Sequence, residues 1–169
     1  MKISVCGKGG SGKSTVVSLL AKHAEASGHE VLVVDSDESN TGLFRMLRFP
    51  KPPTPLMELV GGKKAIKERI GQPNLLASSQ ITIADIPSKF ICKRNGLKLV
   101  SIGKILQSLE GCACPMGVLS RELLNKLKLD EKELVIVDME AGVEHFGRGI
   151  DDSIDMVIAV VEPSMESIA

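Results

Sequence analysis

Gly7-Lys8-Gly9-Gly10-Ser11-Gly12-Lys13-Ser14 is the stretch whose reading decides the fold. The octapeptide fits G-x-x-x-x-G-K-[ST], follows the apolar run Ile3 to Cys6 and precedes a run of helical periodicity, the context in which this pattern carries meaning. Glycines let backbone N–H groups close around phosphate oxygens, and a helix N-terminus adds its positive end. Lys13 then reaches the β and γ phosphates, Ser14 offers its hydroxyl to Mg²⁺, and Thr15 can add a contact to the α-phosphate. Val16, Val17, Leu20, Ala21 and Ala24 recur at three- and four-residue steps, with Lys22, Glu25 and Ser27 facing elsewhere and Gly28 as the stop. A second apolar run, Val31 to Val34, completes a strand–helix–strand unit. Both runs are apolar on successive residues, as in strands covered on both faces, so the sheet is expected to be central and parallel.

Outward from this unit, Arg48 to Leu56 contains Pro50, Pro52, Pro53 and Pro55, which remove backbone donors and exclude a helix or inner strand. An ordered loop or flap is expected. Residues 57 to 70 read as one basic amphipathic helix, with Leu59, Ile66 and Ile70 set against Lys63, Lys64, Lys67 and Arg69, stopped by Gly71 and Pro73. Leu97 to Ile102 reads as a strand, followed by a short helix to Leu109, a cysteine loop and a helix from about Val118 to Leu127. Leu134 to Val137 and Met156 to Val161 read as two further buried-type strands, each leading to an acid, Asp138 or Glu162. The predicted fold is α/β: a P-loop NTPase with a mostly parallel central sheet and helices on both faces. A single domain is expected over 1–169. Ser164 to Ala169 begins another helix, so the chain is expected to be the N-terminal, C-terminally truncated part of a longer one.

Composition narrows the function. Twenty-one Lys and Arg balance 21 Asp and Glu, giving no overall field for a nucleic-acid backbone or anionic membrane. Trp and Tyr are absent and there are 4 Phe, which removes the usual platforms for stacked bases. No apolar run approaches the roughly 20 residues of a membrane helix, and no signal-peptide core is present. A cytoplasmic protein with neither nucleic-acid nor membrane partners is expected. The 4 cysteines make no disulfide framework and suit a reducing compartment.

Three more features carry chemistry. Asp35 and Asp37 end the second strand on the carboxyl edge of the sheet, where a carboxylate can orient an attacking water or hold a Mg²⁺ water; Asp35 could equally cap its loop. Leu134 to Asp138 reads as an apolar strand delivering an aspartate to Mg²⁺, and Asp138 to Gly142 as a D-x-x-x-G switch whose glycine can sense the γ-phosphate. Cys112-Ala113-Cys114 sits between Gly111 and Pro115. Two thiols this close are poorly placed for a mutual disulfide but can turn to one soft ion. A pair from each of two chains would complete a four-thiolate site for zinc or nickel; two small core cysteines in a turn are the plainer alternative. Cys6 and Cys92 read as structural, His23 and His29 as surface positions, and His145 has no identifiable partner.

Lys8 to Ser14 matches the K-G-G-x-G-K-[ST] pattern and resembles the deviant Walker A family that includes the nitrogenase iron protein and the MinD and ParA ATPases. The resemblance implies ATP hydrolysis in a homodimer, with Lys8 reaching the partner's phosphates and Asp37 activating water. Lys8 by itself lies on the rim of the loop, too far round for an easy reach to its own γ-phosphate, and without the resemblance it could equally be a surface lysine. Together with the cysteine pair and the stretch from Asp138 to His145, followed by Arg148-Gly149 and Glu162-Pro163-Ser164, the chain resembles the CooC-type carbon monoxide dehydrogenase accessory ATPases over essentially its whole length. That implies ATP and Mg²⁺, nickel or zinc at Cys112 and Cys114 between subunits, and carbon monoxide dehydrogenase as client. It also implies that the adenine-contacting segment lies beyond Ala169. The rivals are an iron–sulfur electron-transfer protein of the nitrogenase iron protein type and a partitioning or positioning ATPase. The first takes its cysteines from separated stretches; the second calls for a basic patch or a C-terminal amphipathic helix.

Overall fold

The computed structural model describes residues 1–38, 41–69, 76–103, 114–140 and 153–163. Strand β1 (Lys2–Gly7) enters the phosphate-type loop, α1 (Lys13–Ala26) leaves it, and β2 (Glu30–Asp35) returns to the sheet. Then follow α2 (Leu43–Met46), a 3-10 turn at Leu56–Val60, α3 (Gly62–Glu68), a second 3-10 turn at Ile83–Asp85, β3 (Ile91–Arg94), β4 (Leu97–Ser101), α4 (Cys114–Lys126), β5 (Glu133–Asp138) and β6 (Met156–Val160). The strands form one sheet in the order β3-β4-β2-β5-β1-β6, parallel throughout except for β3, which runs antiparallel to β4. The predicted mostly parallel α/β sheet is therefore present.

Pleating explains the unbroken apolar runs, because successive side chains enter opposite cores. Val31, Val33, Leu134 and Ile136 pack with Ile3, Val5 and the α1 residues Val17 and Ala21. Leu32, Val34, Val135 and Val137 pack on the other face, with Leu119, Leu123 and Leu124 of α4 and Ile66 of α3. Both faces of the sheet thus carry a buried apolar cluster, as expected.

The structure corrects the reading at four places. The single helix over 57–70 is instead a 3-10 turn and α3, because Gly61 and Gly62 take φ of +92° and +83°, outside the helical range. Leu59 consequently turns outward and is 45% exposed, while Leu56, Val60 and Ile66 are buried. Ile70, Gly71 and Pro73 lie outside the described residues, as do the expected helices ending at Leu109 and starting at Ser164. Strand β3 was not anticipated; Asn95-Gly96, with Asn95 at φ +52°, turns it into β4. Helix α4 starts at Cys114, about four residues early, because Pro115 presets the backbone of a first turn. Finally, β6 stands at the end of the described sheet, with Met156 48% exposed, so it is an edge strand rather than a buried one.

One polar contact ties the layers together. Ser36 Oγ, just past β2, donates to Ser120 Oγ of α4 at 3.1 Å in a buried setting. Ser120→Ala leaves the Ser36 hydroxyl buried without that partner, and should cost about 1–2 kcal/mol in a urea unfolding series.

Candidate nucleotide site

The octapeptide occupies the carboxyl edge of the sheet, between the end of β1 and the start of α1. Gly7 stands in register with Val160 of β6, at φ +147°, and a Cβ there would overlap the Val160 carbonyl oxygen. Gly12 caps α1 at φ +91°, a left-handed conformation that leaves the first turn open toward the loop. The Lys13 side chain folds back under the loop and is 5% exposed, its ammonium donating to the Lys8 carbonyl at 3.0 Å. Lys8 itself is exposed, on the rim, and Thr15 is exposed on the first turn of α1.

Asp138 ends β5 beside β1, in register with Val5 on one side and Asp35 of β2 on the other. Alternation along the strands places Asp35 and Asp138 on the face that carries α1. There Ser14 Oγ donates to Asp138 Oδ2 at 2.7 Å, and the carboxylate is fully buried. The backbone closes around this point: Ser36 N donates to the Asp138 carbonyl at 3.0 Å, Met139 N to the Val5 carbonyl at 3.1 Å, and Ile102 N to the Asp35 carbonyl at 3.0 Å. Asp37 follows on the same edge and is 7% exposed.

Sequence reasoning passed over Glu38, which at 3% exposure is more deeply buried than Asp35 or Asp37. Only its position directly after Asp37 could have pointed to it. It also passed over Ser36, whose side chain alternates to the opposite face and reaches α4. Among the expected site residues, Gly7 to Thr15, Asp35, Asp37 and Asp138 are thus gathered on one edge. Cys112, Gly142 and His145 lie outside the described residues, and so does the side chain of Cys114, whose backbone opens α4.

The donor set fits a magnesium nucleotide. A hydroxyl and a buried carboxylate are hard oxygen donors of the kind Mg²⁺ takes, and a buried ammonium under a glycine loop is matched to phosphate. His23 and His29 are exposed, as read from the sequence. Cys6 and Cys92 are placed as structural thiols. The Cys6 thiol is buried and donates to the Ile158 carbonyl at 3.4 Å; burial pushes its pKa up, with the Lys13 charge opposing. Burial likewise raises Cys92, opposed by Lys51. Raised thiol pKa values mean that the folded chain holds these protons more tightly than the unfolded one. Their contribution is therefore intact at neutral pH and is lost as pH climbs through and above the ordinary thiol range. Alkylation of Cys6 by iodoacetamide in the native protein should be far slower than in urea at the same pH.

Comparison with known proteins agrees with this geometry. The CobQ/CobB/MinD/ParA nucleotide binding domain family matches residues 3–164. An uncharacterized ATP-binding protein of Methanocaldococcus jannaschii is 47% identical across 99% of this chain and 69% of its own length. The carbon monoxide dehydrogenase accessory protein CooC of Rhodospirillum rubrum is 35% identical across 99% of this chain, which spans 65% of that protein. The septum site-determining protein MinD of Pyrococcus horikoshii, solved with Mg-ADP, superposes with a TM-score of 0.62 at 16% identity, over 99% of this chain and 60% of MinD. The matched family, the Lys13 and Ser14 geometry and the shared sheet together place this chain in the CobQ/CobB/MinD/ParA nucleotide-binding domain family of P-loop ATPases.

Proposed function

We propose that the protein is an ATP-dependent metallochaperone serving a nickel–iron carbon monoxide dehydrogenase. What supports the reading is the 35% identity to CooC across 99% of the chain, taken with Cys112-Ala113-Cys114 in the sequence. ATP binds through the loop amides and the α1 N-terminus, with Lys13 on the β and γ phosphates and Ser14 and Asp138 holding Mg²⁺. Asp37 orients and deprotonates the water that attacks the γ-phosphorus; the bond to the β–γ bridging oxygen breaks, giving ADP and phosphate. Lys8, exposed on the rim, reaches the nucleotide of a second copy and ties hydrolysis to dimerisation. Cys112 and Cys114 of both copies then hold the cargo, nickel or zinc, which is released when hydrolysis resets the interface.

The test is elemental analysis with solution mass on anaerobically purified protein, with and without Mg²⁺ and a non-hydrolysable ATP analogue. About half a nickel or zinc per chain, tied to a dimer and lost in Cys112→Ala/Cys114→Ala, is the expected result. One metal per chain in a protein that stays monomeric with the analogue overturns it. Iron with sulfide would instead establish the electron-transfer reading.

A further inference from the structure

Two stretches of this electrically balanced chain contain no acid at all: between Glu38 and Glu58, and between Asp85 and Glu110. The fold brings them together at the β3 edge of the sheet. Thr54 N donates to the Lys89 carbonyl at 3.2 Å, Arg94 to the Arg48 carbonyl at 3.3 Å, and the Cys92 thiol to the Lys51 carbonyl at 3.5 Å. Between the proline-rich loop and the strand lies a groove of about 470 Å³, walled by residues 49–54 on one side and by Ser88, Lys89 and residues 91–93 on the other. Lys51, Lys89 and Lys93 line it, Arg48 and Arg94 flank it, and all five are exposed. Only Lys89 has a carboxylate neighbour there among the described residues, Glu58 at 3.8 Å, and that pair is itself open to solvent.

Lysines and prolines also blunt a sheet edge against self-pairing. Blunting requires a charge or two, however, and it does not require a recess. Here the prolines hold one wall of a recess rigid, so that little conformational freedom is lost when something enters it. We infer that this groove is a docking site for an extended acidic segment of a partner protein, its carboxylates meeting Lys51, Lys89 and Lys93. Nucleic acid fits less well: Phe49 in the groove wall and Phe90 beside it are both buried, and neither offers an open ring face on which to stack a base. The inference is independent of the metal chemistry above, because it uses neither the cysteine pair nor any residue of the nucleotide site, and β3 is separated from β1 in the sheet by β4, β2 and β5.

Fluorescence anisotropy with a labelled octapeptide of alternating glutamate and alanine tests it, at low salt, on the whole chain. Lys51→Glu/Lys89→Glu/Lys93→Glu should weaken binding by about tenfold or more, three exposed pairs each contributing a few tenths of a kcal/mol to about 1 kcal/mol. A control of equal charge change at lysines that do not line the groove, Lys22→Glu/Lys128→Glu/Lys132→Glu, should stay within about twofold, since it leaves the groove's own pairs intact. Equal weakening by the two variants, or none by either, overturns the proposal. Tighter binding of a short DNA duplex or of phosphatidylserine vesicles, lost in the groove variant, overturns it in favour of those partners. Unchanged ATP hydrolysis in both variants shows that each still folds.

Discussion

Lys13→Ala should lower ATP hydrolysis by about a hundred- to a thousandfold, the range seen when one preorganised donor to a developing charge is removed. The Lys13 ammonium lies under the loop, 5% exposed, and its contact is a backbone carbonyl of the loop itself. A carbonyl is a neutral partner for a full positive charge. Exchanging it for phosphate oxygens gives a charge-assisted contact, which alanine cannot make. Lys13→Arg should not rescue, because a planar guanidinium does not fit a recess that holds a compact ammonium. Thermal unfolding provides a second readout. A nucleotide present at 100 times its dissociation constant stabilises by about 2.7 kcal/mol, so wild type should melt later with Mg-ATP and Lys13→Ala should not. A variant that hydrolyses ATP at the wild-type rate would remove Lys13 from the mechanism.

Gly7→Ala should be the most destabilising small substitution in the loop, by about 3 kcal/mol or more, from a forbidden backbone conformation combined with overpacking. The new methyl would overlap the Val160 carbonyl and approach Ser11 Oγ to 2.9 Å. Val160 pairs with Gly7 in the β1–β6 ladder, so relief requires moving a strand instead of rotating a side chain. Gly12→Ala is the matched comparison. Its φ is also positive, at +91°, but a Cβ there meets nothing within 4 Å, so only backbone strain of about 1 kcal/mol is added. Denaturant midpoints should separate the two clearly. Equal losses would mean that β6 does not press on Gly7.

The parts of the fold legible in sequence are those written in consecutive residues. The strand, glycine loop and helix around Lys13 follow from apolar runs, glycines and a three-to-four periodicity, and the Ser14–Asp138 contact follows from where two motifs must end. Other features depended on partners distant in sequence. Nothing local in Met156 to Val160 distinguishes an edge strand from an inner one, because its exposure depends on what lies beyond it in the sheet. Strand β3 is different: Asn95-Gly96 between two short apolar stretches is a hairpin signal that the basic residues Lys93 and Arg94 obscured. The break at Gly61-Gly62 was also written in the sequence, and was overridden by the lysine pattern around it. The burial of Glu38 was not legible locally, beyond its position directly after Asp37, because it comes from the closed edge around it.

The strand order also sets a schedule for synthesis. β1 pairs only with β5 and β6, and its first residues bond to partners about 130 positions later in the chain. On a ribosome adding about 5–20 residues per second, the phosphate-loop strand therefore waits on the order of ten seconds before any strand neighbour exists, with α1 alone to cover one face. β2 and β4 can pair in that interval, whereas the nucleotide cannot be gripped until β5 has emerged. Until β5 emerges the nascent chain thus carries an apolar strand with both hydrogen-bonding edges open, a natural point of contact for chaperones that meet emerging polypeptides.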